Sequence, residues 1–410
     1  METLSIESAL KLILSKIEAQ CQSETISADC ALGRVAAEEI TARRMLPPFD
    51  NSAMDGYAVK VGDSGQKVKV IGTIYAGDAP SDALARGEAI RIMTGAPIPK
   101  GTEAVVMREQ IVSAGDEAIT LPNQITPNQH IRYAGEEVQE GAQLIGRGEC
   151  VSPIDAALLA SQGITKVNVY KRLNVAVIAS GDEVVEPWQT PDRYQIFNTN
   201  AVAIMQTLAK AGFEARYVGL CGDDPIVLAT MIKKALLEND ALIITGGVSA
   251  GAADHTRRAF ETIGAEVFFH GLNFKPGKPT MAGKALDKLF FALPGNPLSA
   301  IANLLMLALP SLRKLQGAQK IFNDFCAAKN VRTFAIKGDR DIALLGTLAG
   351  GQWQITQGGK YGSGMLLPIA RSNSFAIFAP RAGDIEAGIK IKVVPIDGTF
   401  SATFRDPLNR

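Results

Sequence analysis

From Asn174 onward, short apolar runs alternate with segments of helical length for about 140 residues, and this alternation limits the fold more than any other feature of the chain. The runs at roughly 174–180, 215–221, 241–245, 265–269 and 289–293 have strand length and are apolar, many of them β-branched. The segments at roughly 200–212, 225–238, 255–262 and 298–309 read as helices. Strands without polar alternation are buried on both faces, and right-handed crossovers then produce a doubly wound, mostly parallel sheet. Such a sheet sends its strand carboxyl ends to one edge. The special residues of this chain follow its strands: Gly181-Asp182-Glu183, Asp223-Asp224, Lys275-Pro276-Gly277-Lys278-Pro279 and Pro294-Gly295-Asn296-Pro297. Between them lies DALIITGGVSAGAADHT, where a buried strand breaks into Gly246, Gly247, Ser249, Gly251 and Asp254. Its small residues suit close approach of a ligand to the backbone. All five loops are expected to gather around one crevice, where open α/β sheets bind ligands.

The flanks read differently. Leu10, Ile13, Leu14 and Ile17 recur at helical spacing behind Glu2 and Glu7, which marks an amphipathic helix and not a signal peptide. Residues 33–44 fit a short helix or an extended connector, and Pro47-Pro48 opens a new unit. From Val61 to about Gly141 the pattern is short, alternating and β-rich. Val151 to Gly163 reads as a helix with Ser152 as cap and Gly163 as stop, expected beside the N-terminal one. Beyond Gln316 short β-like runs return. The expected fold is multidomain α/β plus β: an N-terminal and linker domain (1–44 and 141–172), a β-rich inserted domain (45–140), the α/β domain (173–318) and a C-terminal barrel-like β domain (319–410).

Composition removes several function classes. Forty-two basic residues balance 42 acidic ones, which argues against a nucleic-acid or membrane-surface partner. The most apolar segment, 298–309, falls short of the ~20 residues that span a bilayer. Five scattered cysteines without a C-x-x-C pair fit reduced thiols in a cytoplasmic protein. Gly277-Lys278 is followed by Pro279 and makes no P-loop; Gly246, Gly247 and Gly251 make no dinucleotide fingerprint. His130, His255 and His270 lack zinc-ligand spacing and read as structural or exposed. What remains is a set of carboxylates (Asp182, Glu183, Asp223, Asp224, Asp254) with Lys275 and Lys278. Magnesium held by one or two of the acids, with the lysines as point charges, would suit a phosphorylated ligand and cleavage of a phosphoanhydride.

PPFDNSAMDGYAV, TGAPIP, GEEV, SGDE, TGGVSAGAAD, KPGKP and LPGNP, in that order over nearly the whole length, resemble the molybdopterin molybdenumtransferase family, MoeA in bacteria and the E domain of gephyrin in animals. The resemblance implies a Mg2+-dependent transferase of molybdenum cofactor biosynthesis. It would insert molybdate into adenylylated molybdopterin and release AMP. It also implies a cytoplasmic, elongated homodimer in which the Asp55 loop faces the partner's α/β domain. Candidate protein partners are the molybdopterin adenylyltransferase and apo-molybdoenzymes or their chaperones. By the same resemblance Asp55, Glu183, Asp254, Lys275 and Lys278 are catalytic. Thr94, Glu137, Asp223, Asp224, Gly246, Gly247, Ser249, Gly251, Pro294, Pro297 and Ser363 bind substrate, with Ser372 a further candidate. Glu183, Asp223, Asp224 and Asp254 are the candidate magnesium ligands. Two departures stand out: Glu137 replaces an aspartate, and His255 stands where the family often has tyrosine. A non-catalytic scaffold of the same fold is the alternative. The intact carboxylates disfavour it, and the PPFDNSAMDGYAV loop disfavours a different enzyme of the wider molybdopterin-binding fold.

Overall fold

The computed structural model describes residues 3–20, 22–79, 83–115, 117–248, 254–398, 400–401 and 408–409. Its central sheet has six strands in the order 214–221, 174–180, 241–245, 288–293, 281–285, 266–270. The first four are mutually parallel. Met281–Ala285 runs antiparallel to both Lys288–Leu293 and Glu266–His270, so the outermost strand again points the same way as the parallel four. The carboxyl ends of all five expected strands therefore share one edge.

Burial explains why these runs carry no polar alternation. Val175, Val177, Ala179, Ala241, Ile243, Leu289 and Phe291 belong to the core on one face, with helices Ile6–Lys16, Asn200–Lys210 and the helical run Pro297–Leu315. Ala176, Ile178, Leu242, Ile244, Phe290 and Ala292 belong to the other core, with helices Pro225–Glu238 and His255–Thr262. There Phe260 stacks on Phe290 with centroids 3.7 Å apart. A period of two across a sheet covered on both sides is the doubly wound arrangement.

Strand Met281–Ala285 was not among the expected strands. MAGKA lacks β-branched residues, and its two-residue turn to the next strand is Leu286-Asp287, both with positive φ (50° and 59°). Such a hairpin turn normally announces itself with Asn-Gly or Asp-Gly. The helix expected at 298–309 also runs longer. Helical turns continue from Pro297 to Leu315 through a π segment, Leu304–Ala308, just before Pro310. Pro310 has no N–H to return to the preceding turn, and Asn323 Nδ2 donates to Leu305 O at 2.6 Å instead. By length and composition this 19-residue run could cross a membrane, yet 94% of its most apolar window is buried, as in a core helix.

Contacts divide the chain into two compact units, where the sequence suggested four. The first comprises Met1–Glu38, Arg147–Ser152 and Lys166–Arg410. Within it, strands 341–349, 352–355, 326–330, 390–395 and 374–378 pair in turn, and the last returns to the first, closing a five-stranded barrel. The expected C-terminal β fold is thus a closed barrel. Phe274–Lys275 adds a short parallel strand to Asp341–Ala349, and Leu345, Phe375 and Ile377 join the core of the central sheet, which is why barrel and sheet group together. The second unit, Glu39–Gly146 with Pro153–Thr165, has a six-stranded sheet in the order 104–107, 56–59, 88–92, 67–74, 118–120, 113–114. Helix Pro153–Ser161 packs on strand Gln143–Ile145 of this unit. The N-terminal helix, in the first unit, contacts the Pro297–Leu315 run and strand Glu266–His270.

Candidate functional site

The glycine loop at the end of strand Ala241–Thr245 is held from inside the protein. A Cβ on Gly246 would lie 2.0 Å from Ser180 O, and one on Gly247 would lie 2.5 Å from Thr256 Oγ1; both residues have left-handed φ, +95° and +65°. These glycines let neighbouring strand ends and the next helix approach one another. Ser249 and Gly251 lie outside the described residues. Asn200, first residue of its helix, knits the edge together: its Nδ2 donates to Thr245 Oγ1 (2.9 Å) and to Gly295 O (2.7 Å).

Three cavities follow this edge. The first, about 350 Å³, is walled by Ser180, Glu183, Phe197, Asn200, Gly246 and Pro297 among others. Ser180 is 4% exposed, and its hydroxyl has no hydrogen-bond partner among the described residues. The second, about 560 Å³, lies between the strand-end loops and the barrel, where Lys275, Lys278, Pro294, Arg340, Tyr361 and Ser363 line it. Both lysines are exposed, and neither has an ion pair among the described residues. Burial pushes the Tyr361 phenol up to about 12; it stays a neutral hydroxyl accepting from Leu345 N at 2.6 Å. Asn296 lines both of these cavities. The third, about 490 Å³, contains Asp254, Arg257, Arg258, His270 and Lys278.

The acids do not meet in one place. Asp224 Oδ1 caps helix Pro225–Glu238, accepting from Ile226 N and Val227 N. Asp254 Oδ1 accepts from Arg257 N at 3.0 Å, and its Oδ2 sits 3.4 Å from His270 Nε2. Burial raises the Asp254 carboxyl above its ordinary value, against the hydrogen bond from Arg257 N and the charges of His270 and Arg257. Asp182 and Asp223 do approach, Asp223 N donating to Asp182 Oδ1 at 2.9 Å. With Asp224 they push the Cys221 thiol up, after burial itself, so three negative charges surround that strand end. No group of three or more His, Cys, Asp or Glu among the described residues could hold a metal ion. The four acids expected to bind magnesium therefore form no common cage: helix capping has taken Asp224 and Asp254. Two carboxylates, water and a ligand's phosphate oxygens match the usual magnesium donor set, and Asp182 is joined to Asp223 through the Asp223 N–H.

In the second unit Asp55 and Thr94, separate in sequence, come together: Asp55 Oδ1 accepts from both Thr94 N and Thr94 Oγ1 at 2.7 Å. These two bonds, with Arg91 nearby, hold the Asp55 carboxyl below its ordinary value. Asp50 accepts from Ala134 N at 2.8 Å and Glu136 from Tyr133 N at 2.9 Å, so both shape the turns around it, while Glu137 is exposed.

Residues 4–163 match the family model described as MoeA N-terminal region (domain I and II), and residues 176–314 match a probable molybdopterin binding domain. The molybdopterin molybdenumtransferase of Haemophilus influenzae is 34% identical over 400 residues, 96% of this chain and 99% of that one. The chain belongs to the molybdopterin molybdenumtransferase family. A Staphylococcus aureus protein of the same name is 30% identical over 95% of both chains. Two solved structures of a Pyrococcus horikoshii molybdopterin biosynthesis MoeA protein superpose with TM-scores of 0.84 (28% identity) and 0.78 (30% identity), each over 96% of this chain.

Within this family member, four residues at the strand-end edge were not singled out by the sequence. His270 was taken as structural or exposed, yet it is the side chain facing Asp254. Asn200 gave only the signal of a helix start. Arg257 and Arg258 were hidden in an ordinary helix, although cations in a first turn oppose the helix dipole and could have raised suspicion. Of the two departures from the family pattern, His255 has its Nδ1 buried without a partner among the described residues.

Proposed function

We propose that this chain inserts molybdate into adenylylated molybdopterin and releases AMP, with magnesium present, acting as a cytoplasmic homodimer. The observation that carries this is the pair of adjoining cavities at one sheet edge: one rich in amides and hydroxyls, the other bearing two lysines with no ion pair among the described residues. The pterin would occupy the first, where Ser180 Oγ and Glu183 offer hydrogen bonds and Phe197 an aromatic wall. Lys275 and Lys278 would hold the molybdate oxyanion as point charges, and Ser363 a hydroxyl beside it. Asp182 and Asp223 would hold magnesium, which supplies neutralisation of phosphate charge when bound. Asp254 and Glu183 would orient the reacting groups, since each lines a cavity at the same edge. The Asp55–Thr94 pair would act on the active site of the second subunit, a role that fits a carboxylate kept ionised and exposed.

The test is incubation of the purified protein with adenylylated molybdopterin, molybdate and magnesium. AMP and molybdenum-loaded cofactor are the expected products; pterin binding without either would overturn the proposal in favour of a scaffold.

A further inference from the structure

We propose that Asn303, buried in the helix behind the lysine loop, is a positioning residue for the oxyanion: its side chain seats Gly277 and so fixes how Lys275, Lys278 and the backbone between them face the cavity. This rests on the transferase reading above, in which those lysines hold molybdate.

Burial sets the problem. Asn303 is 0% exposed at the end of helix Pro297–Asn303, next to the buried apolar residues Ala302 and Leu304. Its Nδ2 donates to Ser299 O, one turn earlier, at 2.8 Å, and its Oδ1 is buried with no hydrogen-bond partner among the described residues. An orphaned acceptor in a core is a cost that Leu or Ala would not carry, so helix packing alone does not call for an amide here. The contact that does lies at the lysine loop. A Cβ on Gly277 would stand 2.0 Å from Asn303 Nδ2 and 3.1 Å from its Cγ, and Gly277 has a φ of +116°. Gly277 therefore has the Asn303 amide where a side chain would be. The bond to Ser299 O keeps that amide in one orientation, so the loop rests on a fixed surface.

The loop's own hydrogen bonds show what the seat is for. Gly277 O accepts from Thr280 Oγ1 at 2.8 Å, and Lys278 O accepts from Leu272 N at 2.8 Å and Thr280 N at 2.9 Å. Pro276 and Pro279 have no N–H, and neither Gly277 N nor Lys278 N has a partner among the described residues. The acceptors of Gly277 and Lys278 are thus tied to the protein, while their donors and the two ammonium groups are left for an anion. A tetrahedral dianion accepts at every oxygen, and a tilt of the loop would take these donors out of common reach of it. Asn303 does not itself line the 560 Å³ cavity, whereas Lys275, Gly277 and Lys278 do, so its effect passes through Gly277.

Calorimetric titration of the full chain with molybdate alone tests the assignment, with Lys275→Ala and Lys278→Ala as references for the site itself. Asn303→Ala should weaken molybdate by about tenfold, and Asn303→Leu, which keeps the bulk but not the bond to Ser299 O, by about threefold. Melting temperatures identify the folded variants, and Leu, close to Asn in volume, keeps the test open should Ala fail to fold. In turnover the loss should appear in KM for molybdate, with kcat changed by under about twofold. Gly277→Ala should weaken molybdate by about tenfold, and the double variant Gly277→Ala/Asn303→Ala also by about tenfold, where independent effects would give about 100-fold. Wild-type molybdate affinity in both Asn303 variants while the lysine variants are impaired would overturn the positioning role and leave the transferase reading standing, whatever their melting temperatures. Multiplying effects in the double variant would overturn the contact with Gly277. Molybdate affinity unchanged by either lysine variant would count against the lysine site of the transferase reading instead.

Discussion

Asp55 and Asp254 are the same residue in opposite environments. Asp55 is exposed in the second unit, and two hydrogen bonds from Thr94 stabilise its charged form, so its carboxyl sits below the ordinary value. Asp254 is 5% exposed in the first unit, and loss of water outweighs the help of Arg257 N and His270, so its carboxyl sits above it. Hydrogen bonding to the anion and desolvation thus win at different sites. The contrast separates an acid that is a ready anion wherever it is presented from one whose charge depends on the cations around it.

Each loop is pinned by a glycine, and the largest effects should come from there. A Cβ on Gly56 would lie 2.1 Å from Val106 O, and one on Gly246 would lie 2.0 Å from Ser180 O. Backbone atoms cannot give way as a flexible side chain does, so Gly56→Ala should cost about 3 kcal/mol. Gly246→Ala should cost about 4 kcal/mol, because φ of +95° adds strain for a residue with a Cβ. Urea unfolding of both variants measures this; equal or reversed costs would mean that the two loops are held alike.

The next effect sharpens the strand-edge side. Asn200→Ala removes two hydrogen bonds, leaving Thr245 Oγ1 with its donation to Pro294 O alone and Gly295 O to water or to nothing, and should cost about 2 kcal/mol. A loss below about 0.5 kcal/mol would show that the edge does not depend on it.

Much of the fold was legible because its physics is local. Ala241–Thr245 is buried at every position, and a continuous apolar run followed by glycine says so in the sequence. The five strand-end loops could be placed on one edge because parallel strands leave no other arrangement. What could not be read depends on long-range contacts. The Phe274–Lys275 strand takes its partner from the barrel, and Leu286-Asp287 adopts a turn that its residues do not advertise. The site residues divide along the same line. Asp254, Lys275 and Lys278 were visible in short motifs, whereas His270 meets Asp254 only because two strand ends share an edge. Commitments made by the fold were equally hidden: Asp224 and Asp254 looked like metal ligands and are helix caps as well.

Stability against pH should separate the two acids by sign. Asp55 binds its proton less tightly when folded, so its contribution is present above the unfolded carboxylate range and is lost as pH falls through its depressed value. Asp254 binds its proton more tightly when folded. Its contribution is complete below the unfolded range, near 3.8, and is lost as pH rises through the elevated value. Asp254→Asn should therefore flatten a fall in stability with rising pH, and Asp55→Asn a rise. Parallel changes in the two variants, followed by thermal unfolding across acid pH, would break the comparison. The smallest effect is local: Thr94→Val removes the hydroxyl donor and keeps the backbone one, so the Asp55 carboxyl should titrate closer to 3.8, measured by NMR.

The most direct measurement is single-turnover molybdenum insertion by the purified protein with adenylylated molybdopterin, molybdate and magnesium, comparing wild type with Asp254→Asn and Asp55→Asn. The expected result is one AMP released per molybdenum inserted, with each variant slower by on the order of 100-fold while still folded. Wild-type turnover in both variants would return these acids to purely structural roles, and a wild-type protein that binds pterin yet yields neither AMP nor loaded cofactor would contradict the account at its centre.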